Sequence, residues 1–174
     1  MNQLTPEESH QQSLFTLNEL QQHDDLLDSI KSVADVGCGT GLDIKWWAEN
    51  HNREEDPTPR NIKCYAVDLA PKLNYDIPKN LHVIENDFTK EPFLPVKVDM
   101  IWSHNSLGHV INPYETLAVW NRQMNAGGII CVILPQMHNV EYNRVHCHHF
   151  PGYFYNFNII NLVYMLACAG FDCK

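Results

Sequence analysis

The stretch ADVGCGTG, from Ala34 to Gly41, constrains the fold of this chain more than any other. The apolar run VADV at its start is too short for a helix and suits a strand buried on both faces. It runs straight into Gly37, Gly39 and Gly41, after which LDIKWWAEN takes on helical character. A strand that turns through alternate glycines into a helix bares main chain at the strand's carboxyl end, where open α/β sheets receive ligands. Glycine serves there because a tight turn can demand positive φ and because a Cβ would keep a ligand off the backbone. The loop is also expected to offer free N–H groups at the positive end of the helix dipole. A plain tight turn would use glycine too. The spacing departs from the dinucleotide fingerprint Gly-x-Gly-x-x-Gly, since Leu42 stands where the third glycine belongs.

The same rhythm continues along the chain. IKCYAVDL, LHVIENDF, VDMIWS and GGIICVILP read as strands, while HNREEDPTPRN reads as a surface loop. NPYETLAVWNRQM reads as a helix opened by an Asn112 N-cap and Pro113. Upstream, TPEE marks a helix start with Thr5 as N-cap, Pro6 in the first turn and Glu8 closing a capping box. HDDLLDSIKS adds a second helical stretch with Leu26, Leu27 and Ile30 at helical spacing. Alternating strands and helices call for parallel strands joined by right-handed crossovers. The expected fold is therefore an α/β three-layer sandwich with a mostly parallel, doubly wound sheet.

A length of 174 residues fits one domain, 1–174, whose residues 1–31 form an N-terminal helical segment. Hydrophobic residues at 44% and charged residues at 19% place the chain among globular proteins. The formal charge of −9 opposes a phosphate-tracking surface and disfavours nucleic acid as a partner. The six cysteines, Cys38, Cys131 and Cys168 among them, lack the spacing of a disulfide scaffold and read as reduced thiols of a cytoplasmic protein. Neither a secretory signal nor an apolar run of membrane-spanning length stands out.

Asp68 ends the second strand in AVDLAP, where acidic residues of nucleotide-binding α/β folds accept hydrogen bonds from both ribose hydroxyls. Here the chain resembles the class I S-adenosylmethionine-dependent methyltransferases, from about Ile30 to Phe171. DVGCGTG resembles their first motif, AVDL the second, NDF the third, VDMIWSHNSLGHVINPYETL the fourth strand with its helix, and AGGIICVILP the fifth strand. MNAGG stands where many relatives carry a proline before the glycine pair. The resemblance implies a Rossmann-like sheet of order 3-2-1-4-5 and S-adenosyl-L-methionine as cofactor. It implies that Gly37, Cys38, Gly39 and Gly41 pack against the methionine part, with Asp35 and Ser103 close by. Asp68 would bind the ribose and Asp87 the adenine amino group, with Leu69 and Phe88 flanking the ring. The family's sheet continues with two more strands, the last antiparallel. This chain stops at FDCK, so either it is truncated or its fifth strand needs another cover.

Methyl transfer from a sulfonium is an in-line displacement, helped mainly by alignment and exclusion of water. A base is required only where the acceptor must lose a proton. His104, with Asn105 at the end of the fourth strand, is the leading base candidate, since histidine titrates near neutrality. It could equally pack against adenine or cap the next helix. RVHCHHFPGYFY gathers His146, Cys147, His148 and His149 beside aromatics. That segment reads as a substrate lid or clasp before a metal site, with His149 a second catalytic candidate and no metal expected. Trp46 and Trp47, adjacent in a helix, cannot share a face, so one is core and the other partly exposed. Ile159, Leu162, Val163 and Leu166 form an apolar stripe expected to be core, while Ile160 and Tyr164 suggest a homodimer contact.

The sequence thus points to a methyltransferase with a small-molecule acceptor, read from the acidic charge and the lack of an appended recognition domain. A non-catalytic cofactor-binding protein and a nicotinamide-dependent oxidoreductase are the alternatives.

Overall fold

The computed structural model describes residues 5–20, 22, 27–50, 61–134, 154–155 and 157–173. Leu26, the loop 51–60 and the segment holding His146, Cys147, His148 and His149 lie outside the described residues. The elements run α1 (Pro6–Leu20), β1 (Ser32–Val36), α2 (Leu42–Asn50), β2 (Lys63–Asp68), β3 (Leu81–Glu85), β4 (Val98–His104), α3 (Pro113–Arg122), β5 (Met124–Ile133) and α4 (Ile159–Cys168). The five strands form one sheet of order β3-β2-β1-β4-β5, and each adjacent pair is parallel. This is the doubly wound order that the resemblance implies, with β1 at its centre.

Strand periodicity divides the core into two. Val33, Cys64, Ala66, Met100 and Trp102 face Leu17 of α1 and Ile44 and Trp47 of α2. Ala34, Val36, Tyr65, Val67 and Ile101 face Leu117 and Trp120 of α3 and Leu162 of α4. Because side chains alternate along a strand, one buried strand serves both layers. All five residues of β1 are buried accordingly.

Local signals set the helix starts. Thr5 Oγ1 accepts from the Glu8 N–H at 3.2 Å and Glu8 Oε2 accepts from the Thr5 N–H at 2.8 Å, completing the capping box. The Asn112 side chain accepts from the Glu115 N–H ahead of Pro113. Asn158 and Asn161 form a second, reciprocal box at the start of α4. Trp47 is wholly buried and Trp46 only partly, as their adjacency requires.

The stripe on α4 differs from expectation. Ile159 and Val163 are exposed along with Ile160 and Tyr164, and the buried side is Leu162 with partly buried Met165, Leu166 and Ala169. The helix is apolar nearly all round, so spacing alone does not select which side packs. Among the described residues no helix is long and apolar enough to cross a membrane.

Candidate active site

The glycine loop sits between the carboxyl ends of β1 and β2 and the start of α2. Gly37, Gly39 and Gly41 all have positive φ. A Cβ on Gly37 would fall 2.3 Å from Ser106 Cβ and 3.6 Å from Phe88 Cε1, so this glycine is required by packing. Gly39 is the opposite case: nothing lies within 4 Å of the place its Cβ would take. Bare backbone here opens onto space.

Four of the loop's amides are not free, which corrects the expectation of open N–H groups at the glycines. Gly37 N–H and Cys38 N–H donate to Val67 O at 2.8 and 3.1 Å, and Gly41 N–H donates to Cys38 O at 2.7 Å. Gly39 N–H donates to Asp68 Oδ2 at 2.9 Å. The turn folds back on β2 and consumes these four donors. A phosphate cradle needs those donors unpaired, so the site suits a ligand without phosphate.

Asp68 ends β2 with Oδ1 accepting the Ala70 N–H at 3.0 Å and Oδ2 accepting Gly39. A carboxylate has about four acceptor positions, so each oxygen keeps one for a further donor, such as a pair of vicinal hydroxyls. Leu69 beside it is 62% exposed, an apolar face open to a ring. Phe88 is buried, against Gly37 on one side and Trp120 on the other, with Trp120 Nε1–H on its carbonyl at 2.9 Å. Asp87 turns its carboxylate onto Thr89 and Lys90, and their hydrogen bonds, Lys90 first, hold it down at about 2. Ser103 differs from the expected cofactor contact. Its side chain is wholly buried and its hydroxyl pairs with Ser106 at 2.7 Å, so it supports the loop from beneath.

A cavity of about 270 Å³ adjoins the loop. One wall is Thr5, Pro6, Ser9 and His10 of α1; the other is residues 37–40 with Asp35, Asp43 and His104. Its size lies just under the roughly 300–1,000 Å³ of pockets for drug-sized ligands. The contribution of α1 was not anticipated. Its signal was His10, Ser13 and Leu17 on one helical face, which now proves to be the inward face, with Ser13 and Leu17 wholly buried.

Asp43 joins the two walls. Its Oδ1 meets His10 Nδ1 at 2.5 Å and Ser13 Oγ at 2.7 Å; its Oδ2 meets Trp102 Nε1 at 2.9 Å and His104 Nδ1 at 3.2 Å. Four donors fill the four acceptor positions of one carboxylate. Burial by itself would raise its pKa, but the hydrogen bonds from His10, His104, Ser13 and Trp102 outweigh that and hold it well below the usual carboxylate range. Asp35, also buried, is shifted the other way: burial first, then the charges of Asp43 and Asp68, raise it well above its ordinary value. The Ile44 N–H bond at the start of α2 only partly offsets this. Burial, with Asp35 and Asp68 nearby, likewise pushes the Cys38 thiol far up, which leaves it a neutral wall of the cavity. Among the described residues no group of His, Cys, Asp or Glu is arranged to hold a metal ion.

Fold and site together define an α/β domain built to seat a nucleoside cofactor at the switch point of its sheet. The chain belongs to the methyltransferase domain family, whose profile matches residues 34–132. S-adenosylmethionine is the methyl donor of the class I enzymes that the sequence resembles. A S-adenosylmethionine-dependent methyltransferase from Archaeoglobus fulgidus shares the fold with a TM-score of 0.67 at 17% identity, over 91% of this chain and 69% of that one. Human N-acetylserotonin methyltransferase in complex with S-adenosylmethionine gives 0.66 at 17% identity, over 84% and 44%. The complex between the Haloferax volcanii Trm112 methyltransferase activator and a methyltransferase gives 0.63 at 19% identity, over 85% and 66%. The chain thus spans about two thirds of these archaeal chains and under half of the human one. No curated protein sequence matches it.

Proposed function

We propose that this chain is a S-adenosylmethionine-dependent methyltransferase acting on a small molecule, with the transfer made in the cavity between α1 and the glycine loop. The observation that carries the reading is the loop itself: its Gly37, Cys38, Gly39 and Gly41 amides are spent on Val67, Asp68 and Cys38, yet Gly39 faces open space. A pyrophosphate would find few donors there, which disfavours a nicotinamide dinucleotide; a sulfonium cofactor needs close approach without anion binding. When bound, S-adenosylmethionine supplies a methyl group on a positively charged sulfur.

The chain's own residues do the rest. The free acceptor positions of Asp68 suit the ribose hydroxyls, and Leu69 suits one face of the adenine. Asp87 has Oδ1 taken twice by Thr89 and Oδ2 once by Lys90, which leaves one Oδ2 acceptor position for the adenine amino group. Asp43, ionised, gives the inner cavity a negative field that favours a cation. Thr5, Pro6 and Ser9 of α1 cover the inner end and exclude water. The acidic surface, at −9 overall, supports a small acceptor over nucleic acid. Absence of a spanning helix among the described residues fits action outside a bilayer, in keeping with a cytoplasmic setting.

Calorimetric titration with S-adenosylmethionine, then methyl release against a metabolite panel, tests this. Saturable binding weakened at least tenfold in Asp68→Ala, with turnover of a panel member, is expected. Binding without turnover of any acceptor would make the chain a binding module. Equal affinity in Asp68→Ala would remove the ribose assignment.

A further inference from the structure

The two imidazoles that meet Asp43 are not equivalent. His104 has both ring nitrogens engaged, Nδ1 with Asp43 Oδ2 at 3.2 Å and Nε2 with Asn105 Nδ2 at 3.1 Å. An amide nitrogen only donates, so the Nε2 lone pair of His104 is already used. Asn105 is held for that contact in a left-handed conformation, φ 58°, with its own N–H on Ile133 O. His10 is bonded through Nδ1 alone, and its Nε2 has no hydrogen-bond partner among the described residues. His10 lines the cavity, 18% of its side chain exposed, opposite the glycine loop. An ionised carboxylate only accepts, so Asp43 fixes the proton of neutral His10 on Nδ1 and leaves the Nε2 lone pair available. A histidine oriented in this way is equipped to take a proton.

Resting on the methyltransferase reading above, we propose that His10, carried into the site by α1, is the catalytic proton acceptor, that Asp43 is its positioning residue, and that His104 serves to hold Asp43 from the opposite wall. The acceptor's oxygen or nitrogen forms the new bond to the methyl carbon. The methyl–sulfur bond breaks with its electron pair kept by sulfur, and the acceptor's proton passes to His10 Nε2. The positive charge lost from sulfur reappears on the imidazole, whose Nδ1–H stays on Asp43. The imidazolium charge so formed lies beside the Asp43 carboxylate.

Proton–nitrogen correlation spectroscopy of the histidine rings tests the geometry without any acceptor. The expected neutral form of His10 is protonated at Nδ1 and bare at Nε2, and that preference is lost in Asp43→Asn. A His10 protonated at Nε2 overturns the proposal. With the panel acceptor, His10→Gln is expected to bind S-adenosylmethionine within about threefold of wild type while kcat falls about 10²- to 10⁴-fold, the usual worth of a general base. Added imidazole is expected to restore turnover to His10→Ala. Wild-type kcat in His10→Gln, or a larger loss in His104→Gln with His10→Gln unaffected, overturns the assignment. A wild-type chain that fails to bind S-adenosylmethionine instead overturns the methyltransferase reading beneath it, a result that the ring spectra do not share.

Discussion

Gly37 and Gly39 are two residues apart in one loop, and their replacement by alanine is expected to fail in different ways. At Gly37, φ +77° charges an alanine roughly 1–2 kcal/mol for left-handed backbone. Its Cβ would also lie 2.3 Å from Ser106 Cβ, against about 3.5–4.0 Å for carbons in contact. Relief of such overlap by neighbouring shifts costs about 1–3 kcal/mol, for a total of about 2–5 kcal/mol. In a chain of this size each kcal/mol lowers Tm by about 2–4 °C, so Gly37→Ala is expected to melt about 4–20 °C early. Gly39, at φ +53° with no neighbour within 4 Å, carries the backbone cost alone, about 2–8 °C. Its added methyl points into the space assigned to cofactor, so S-adenosylmethionine affinity is expected to fall at least tenfold, about 1.4 kcal/mol. Thermal melts of the free chain and calorimetric titration below Tm read the two effects separately. Wild-type affinity in Gly39→Ala would show that the space belongs to something else.

Two further outcomes follow from the wall that α1 contributes. Leu17→Ala removes a wholly buried side chain between α1 and the sheet, at a cost of about 2–5 kcal/mol; hydrogen exchange is expected to accelerate throughout α1, and unchanged exchange there would mean that α1 is held by other means. Asp43 has a folded pKa held below its unfolded value of roughly 3.9. The stability it contributes is therefore present above about pH 4 and lost as pH falls toward the folded value. Asp43→Asn is accordingly expected to cost about 1.5–3 kcal/mol at pH 7 and progressively less below pH 4 by denaturant titration, a gap constant with pH being the contrary result.

Much of the architecture could be read ahead of the structure because its determinants are local. The Thr5–Glu8 box, the Asn112 cap before Pro113 and the short strand running into Gly37 each announce an element in a few residues. Strand order came from resemblance, and the observed parallel registers agree with it. The candidate site was legible where the backbone shapes it, at the positive-φ Gly39 and at Asp68, which closes onto its amide. It was hidden where tertiary contacts do. His10 and Ser13 look like surface residues of a polar helix until Asp43 is seen between them and His104. The spent amides of the loop depend on Val67 O of a strand that arrives many residues later. On α4 the failure was of another kind: with apolar residues on every side, periodicity held no information about which side the sheet would choose.

The most direct trial of the account is an amide-resolved titration of the free chain with S-adenosylhomocysteine. Saturable shifts centred on Gly39, Asp68 and Leu69, and on His10 across the cavity, are the predicted result. A chain whose glycine-loop amides stay unmoved at saturating ligand, or whose shifts gather on another face, would contradict it.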